Sequence, residues 1–547
     1  MSLPSQALIL ALAVAAASPA QALSQADLEA KLAQRLHGDR TGACFAVAVV
    51  DKNVTRAFAC ADADKALRVG PDTAFEIGSV SKTMTSALLA GLIHEGKGSL
   101  DDPLSAWLPD GIKVPGFEGQ PILLRHVVSH TSGLAALPPG VAIENAANPY
   151  APVTAEMLLA ALERSELSRA PGAGFDYSNF ASMLLSYAVA RRAGADFETL
   201  LDERVFTPLG MTGAHINRRP DGVRVAQGHL PNGQPTPAWD FRTDVAGVGG
   251  VRATLDDMVR YVQGQLGAAP EPLAAALALS QQPVNPGAQP AMAMNWMLAP
   301  LNGRTWHAHE GGTGGFSSFV AFDRAAARGV IVLSDTALHS LGGLGSLGLH
   351  LADASVPLGK PRKVVAAPAE LVDALVGHYT LQGGMKMELS RKGEALVIQA
   401  EGQPAFEMGH DDAGDFYPLA FDALLRPQRK ADGSYGFTWV QMGAQLAAVR
   451  RDLAPKPAMP APSAEALQAY AGDYPLMPEF SLKVFERDGR LFVQGSGQPA
   501  LETVAVAKDV FTVDAVGAEI RFERDAAGRV VAVVLHQGGQ VLRGARP

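Results

Sequence analysis

The run Phe75-Glu76-Ile77-Gly78-Ser79-Val80-Ser81-Lys82-Thr83 sets a serine and a lysine three residues apart, just beyond a glycine. On a helix, residues three apart lie on one face, a turn from each other. A serine hydroxyl is a poor nucleophile until a neighbouring base takes its proton, and this spacing supplies an amine to do so. Met84, Leu88, Leu92 and Ile93 recur at helical intervals, and Gly96 and Gly98 punctuate the end, so a helix is predicted from this point. Alone, the pair is equally an N-cap serine and a solvated lysine.

Working outward, two further clusters carry chemistry. Asp176-Tyr177-Ser178-Asn179-Phe180 follows the turn-like Pro171-Gly172-Ala173-Gly174 and precedes a helical run over residues 181–190. A tyrosine and an asparagine two apart at a helix entrance can face one cleft. His309-Glu310-Gly311-Gly312-Thr313-Gly314-Gly315-Phe316 precedes Ser317-Ser318-Phe319-Val320-Ala321-Phe322, a turn, and the apolar Gly329-Val330-Ile331-Val332-Leu333. This reads as an antiparallel hairpin whose first strand opens with the histidine and a bare glycine edge.

With S-x-x-K at Ser79/Lys82, Y-x-N at Tyr177/Asn179 and H-x-G at His309/Gly311 in the place of K-T-G, the chain resembles the active-site serine β-lactamases and penicillin-binding proteins. It is most similar to the class C β-lactamase-like branch, with its D-aminopeptidases, DD-carboxypeptidases and esterases. Gly98 to Leu104, His130-Thr131-Ser132-Gly133-Leu134, Pro208-Leu209-Gly210-Met211 and Gly249-Gly250-Val251-Arg252-Ala253-Thr254 extend the likeness over about residues 25–355. The resemblance implies an α+β fold, an antiparallel sheet flanked by helices with an all-helical lobe. It also implies an acyl-enzyme on Ser79, with Lys82 and Tyr177 handling its proton; which of the two is the base stays open. The oxyanion hole falls to the backbone N–H groups of Ser79 and Gly312, and substrate binding to Asn179, His309, Glu310 and Gly311.

Two departures bear on substrate. A lysine in the K-T-G position is permanently charged, whereas His309 is only partly charged near neutral pH. Glu310 stands in the threonine's place, where an anion repels a substrate carboxylate. Both favour substrates that are neutral or carry a free amine. A D-amino-acid-specific peptidase or amidase is therefore expected, against a β-lactamase, an esterase or a catalytically silent cell-wall sensor.

Forty-eight per cent hydrophobic and 18% charged residues over 547 positions describe a globular chain of two or three domains. A net charge of −9 leaves no basic footprint for nucleic acid, so the expected partner is a small-molecule or peptide substrate. Residues 1–22 read as a signal peptide: an apolar run over residues 7–17, too short to span a bilayer, then the small-x-small site Ala20-Gln21-Ala22. A periplasmic or secreted protein, not membrane-spanning after cleavage, follows. The two cysteines fit that setting. Two strands joined by Asp51-Lys52-Asn53 make a hairpin that, centred on Lys52, sets Cys44 opposite Cys60 as a disulfide pair, with two buried thiols as the alternative.

Beyond the hydrolase-like region (23–357) the chain repeats itself. Gly377-His378-Tyr379 matches Gly472-Asp473-Tyr474, and Gly402-Gln403-Pro404-Ala405 matches Gly497-Gln498-Pro499-Ala500, each 95 residues on. Two small antiparallel β-barrel-like domains are expected at 365–453 and 463–547, as in D-aminopeptidases of the family; a purely stabilising role is the alternative. Two patterns are set aside. Gly343-Leu344-Gly345-Ser346-Leu347-Gly348 spells a dinucleotide fingerprint, but no βαβ unit follows, and a small-residue helix face on the sheet is expected. His307-x-His309-Glu310 lacks a third ligand at a recognisable spacing, so neither metal nor other cofactor is expected.

Overall fold

The computed structural model describes residues 23–61, 67–141, 145, 147–285, 287–382, 384–430, 433–441, 444–451, 462–477, 480–498, 500–513, 518–537 and 540–546. The expected signal segment 1–22 and most of the proline-rich stretch between the repeats lie outside these residues.

After the helix Gln25–Leu36 (α1) come the hairpin strands Cys44–Val50 (β1) and Val54–Cys60 (β2). Cys44 faces Cys60 in their register, and the two sulfurs are bonded. Closing a loop with a sequence separation of 16 restricts the unfolded chain by about 3 kcal/mol on the loop-entropy argument. β1 is buried on both faces, which explains its unbroken apolar run: Phe45, Val47 and Val49 join one core, Ala46, Ala48 and Val50 another.

The central helix, Ser81–His94 (α2), is buried nearly all round, preceded by one tight turn, Gly78–Val80. The helix Asn179–Ala193 (α3) is longer than the expected run and is capped by Ser178, whose hydroxyl accepts from Ala181 N–H at 2.9 Å.

Met297–Leu301 (β3), Arg304–Gly312 (β4), Ser317–Asp323 (β5) and Arg328–Ser334 (β6) complete a six-stranded antiparallel sheet ordered β3-β4-β5-β6-β1-β2. His309 and its glycines do not open the strand that carries Ser317. They close a nine-residue strand of their own, because the glycine-rich turn after Gly312 reverses the chain. The helix Gly345–Ala352 (α4) packs on β5 and β6, with Gly348 pressed on the Phe319 ring. The literal dinucleotide pattern is thus a helix face on the sheet.

The two C-terminal repeats are built alike. Each opens with a short helix, Ala369–Leu375 or Ala464–Gln468, and continues in antiparallel strands. Tyr379 donates to Leu375 O at 2.8 Å, and Tyr474 donates to Tyr470 O at 2.8 Å. The Gln399 amide donates to Gln403 O, and Gln494 to Gln498 O. Arg450 bonds the carbonyls of Ala374 and Val376; Arg546, one residue out of step, bonds those of Ala469 and Ala471. The first repeat closes into an eight-stranded barrel, while the second wraps one core with a four- and a five-stranded sheet.

Candidate active site

Ser79 sits in the tight turn ahead of α2, and the turn is braced from two sides. Ile77 N–H donates to Val251 O at 3.1 Å, and Val251 N–H donates to the Ser81 hydroxyl at 3.2 Å. Gly78 is in the left-handed region (φ +50°), and a Cβ there would lie 2.5 Å from Gly312 N. Any side chain would therefore prise the serine turn from the end of β4. A Cβ on Gly311 would likewise overlap the carbonyl oxygen of Ile77. The expected oxyanion pair, Ser79 and Gly312, thus belongs to two backbone segments in direct contact.

Lys82, one turn on, is fully buried and donates to Ser79 Oγ at 2.9 Å and to Val248 O at 2.7 Å. Neither partner is an anion. Burial pushes the amine pKa well below its usual value, since an ammonium without a counter-charge is costly to bury. Tyr177 lies over the same cleft, its ring 5.0 Å from Lys82 Nζ. Burial raises its phenol pKa, and the hydrogen bond with Ser79 offsets this only in part. Desolvation acts on both groups and favours the neutral form of each.

Asn179, at the start of α3, donates to the Tyr150 hydroxyl at 3.3 Å, while its Oδ1 is buried without a partner among the described residues. Tyr150 stacks on Phe241 at 5.2 Å and meets Trp239 edge-on at 5.3 Å, giving an aromatic wall beside the asparagine. No sequence pattern marked Tyr150, Trp239 or Val248 O, because each arrives from a distant loop.

His309 faces Tyr177, with ring centroids 6.5 Å apart. Its Nδ1 lies 2.7 Å from Glu310 O, which can only accept, so Nδ1 carries the proton and Nε2 is left as an acceptor. Burial first, then the charge of Lys82, lowers its pKa to about 4. The ring is therefore neutral near pH 7, not partly charged. His307 is occupied elsewhere, with Nε2 2.9 Å from Gln281 O and its ring stacked on Phe322.

Glu310 corrects the reading of the sequence. Alternate residues of a strand point to opposite faces, so with His309 toward the cleft Glu310 points behind the sheet. Its carboxylate lies against Gly343 and Gly345 at the start of α4, facing the amides of Leu344 and Gly345. It does not face a substrate beside Ser79, and the argument from its charge falls with it.

Comparison with known proteins agrees with this geometry. Residues 28–340 match the Beta-lactamase family model, and residues 456–546 match a domain of unknown function, DUF3471. The chain is 30% identical over 298 residues to the D-alanyl-D-alanine-carboxypeptidase/endopeptidase AmpH of Escherichia coli K12, covering 51% of this chain and 75% of that one. It is 27% identical over 349 residues to esterase EstB of Burkholderia gladioli, covering 54% and 87%. Among solved structures, the octameric penicillin-binding protein homologue from Pyrococcus abyssi shares the fold, with 17% identity, a TM-score of 0.50, and coverage of 87% of this chain and 98% of that one. With the family model spanning more than half its length, the chain belongs to the Beta-lactamase family and is a serine hydrolase.

Proposed function

We propose that this is an exported hydrolase that cleaves amide bonds through an acyl-enzyme on Ser79, with small D-amino-acid peptides or amides as preferred substrates. One observation carries the chemistry. The amine of Lys82 is buried, has no anionic partner among the described residues and lies 2.9 Å from Ser79 Oγ. Held neutral, it takes the Ser79 proton as Oγ attacks the carbonyl carbon. The N–H groups of Ser79 and Gly312 would stabilise the oxyanion. Tyr177, kept as a phenol, can donate to the leaving nitrogen, and water then releases the acyl group.

The substrate class rests on His309. A neutral ring in the K-T-G position offers a substrate carboxylate no permanent cation, which disfavours carboxylate-anchored β-lactams. AmpH, a relative named for D-alanyl-D-alanine bonds, supports the D-amino-acid part of this reading, although a carboxypeptidase substrate ends in the carboxylate that a neutral His309 does not anchor. Export is supported by the apolar residues 7–17 and by the Cys44–Cys60 disulfide. Ester hydrolysis is a second reading, favoured by the aromatic wall of Tyr150, Trp239 and Phe241 and by the likeness to EstB.

Intact-mass measurement with a penicillin, a D-amino-acid amide and a p-nitrophenyl ester tests these readings. Turnover of the amide with a transient acyl adduct is expected. A folded Ser79→Ala protein should lose several orders of magnitude in rate on every substrate; full activity in it overturns the assignment. The rate should rise as pH climbs through the depressed pKa of Lys82, with no inflection from His309 above about 4. His309→Lys should move that rise to lower pH and improve carboxylate-bearing β-lactams.

A further inference from the structure

His130 is fully buried and adopts a left-handed backbone (φ +56°), a region in which histidine is enriched among non-glycine residues. It touches four consecutive residues of the loop that ends in the α3 cap. Its ring meets Phe175 edge-on at 5.9 Å, and its carbonyl accepts from Asp176 N–H at 2.8 Å. The imidazole lies along the Tyr177 ring at 4.3 Å, tilted 31°, and Nδ1 lies 3.3 Å from Ser178 N. Because a backbone N–H can only donate, Nδ1 is the acceptor and the proton sits on Nε2. That Nε2 is buried and has no partner among the described residues.

We propose that His130 is a positioning residue that sets the Tyr177 phenol over Ser79. The inference rests on the acyl-enzyme reading above, in which Tyr177 acts. The three demands made at this site define the residue. The backbone must tolerate positive φ, a flat face must support the Tyr177 ring, and an acceptor must hold Ser178 N–H. Asparagine meets the first and third demands and phenylalanine the second; histidine meets all three. The ring is also kept neutral, its pKa pushed well below the usual value chiefly by burial, so Nδ1 stays an acceptor.

His130→Asn keeps the acceptor and drops the face; His130→Phe keeps the face and drops the acceptor. With a D-amino-acid p-nitroanilide as the probe, whose leaving nitrogen needs a proton, stopped-flow acylation should slow by about 10- to 100-fold in each, as misplacement near an ångström does, with little change in KM. Tyr177→Phe should cost far less in the His130→Asn background than alone. Equal costs in both backgrounds, or losses that only track the folded fraction, overturn the inference. A Tyr177→Phe protein as active as the parent removes Tyr177 from the mechanism and overturns the inference, while the acyl-enzyme on Ser79 is judged separately by Ser79→Ala. If neither His130 variant folds, 3-fluorotyrosine at position 177 of the intact parent protein decides. One sharp, ring-current-shifted fluorine line supports a clamped phenol, and a line at the exposed, averaged position overturns it.

Discussion

The two C-terminal repeats share their internal bonds, yet they relate differently to the hydrolase domain. The first is locked to it. Arg40 and Asp411, 2% and 0% exposed at their side chains, pair at 3.1 Å, and the Arg40 guanidinium lies 3.6 Å over the Tyr417 ring. Arg362, on the connecting segment, bridges Asp411 and Asp415. Asn232 donates to Leu419 O at 3.0 Å, the Ser340 hydroxyl donates to Asp422 at 3.2 Å, and Leu341 packs on Tyr417. Among the described residues, the hydrogen bonds and ion pairs of the second repeat are internal to it. Ninety-five residues beyond Asp411, Asp415 and Tyr417 stand Val506, Val510 and Thr512. A duplicated scaffold keeps the residues that fold it; docking resides in a few substitutions on its surface.

The contact reaches toward the cleft. Asn232 is at the tip of a small hairpin whose Gly228 packs on Gly315, and His339, beside Ser340, packs on Gly312. Both supports bear on the end of β4, which carries the expected oxyanion donor.

The largest contrast comes from truncation. Removing residues 365–547 strips the partners from Arg40 and Arg362. It should destabilise the hydrolase domain by uncovering the face that Asp411, Asp415 and Tyr417 bury, and broaden peptide selectivity. Removing residues 463–547 should leave melting and substrate profile unchanged. Equal behaviour of the two truncations breaks the comparison. Asp411→Ala should likewise cost about 3–5 kcal/mol in urea titration; Val506→Ala, at the matching position, should cost roughly 1 kcal/mol. Tyr417→Ala removes a buried ring and its cation–π partner, an expected loss of about 3 kcal/mol, against less than about 0.5 kcal/mol for Thr512→Ala.

pH should separate the repeats in sign. Burial raises the pKa of Asp422 at the docking surface, so its contribution is present at low pH and is lost as pH rises through the raised value. In the second repeat, burial acts on Asp509 too, but hydrogen bonds from Arg524 and Tyr470 outweigh it and the pKa is lowered. Its contribution is therefore lost as pH falls through that value. Hydrogen exchange resolved by repeat between pH 3 and 6 measures both, and parallel trends would contradict the assignment. The smallest effect belongs to Asn232→Ala, about 0.5–1.5 kcal/mol for one hydrogen bond, seen as faster proteolysis between the first repeat and the hydrolase domain.

Patterns that depend on near neighbours were legible in the chain. The S-x-x-K pair works through a single helical turn, the Cys44–Cys60 register through a short hairpin, and the repeats through a constant offset; each follows from local geometry. Glu310 was misread because motif position names a residue but not the face it takes, and strand alternation alone turned it behind the sheet. Long-range assembly decided the rest. The spacing offers Lys82 as a base, but its charge state is decided only when α2 is buried and Val248 O is brought to its amine. Tyr177 and His130 are 47 residues apart, and only a left-handed histidine folded back on the loop brings their rings together. Nothing in the sequence marks Asp411 until Arg40, 371 positions away, is laid against it. Local geometry sets which side chains share a turn or a register; their charge states and partners depend on which distant surfaces exclude water from them.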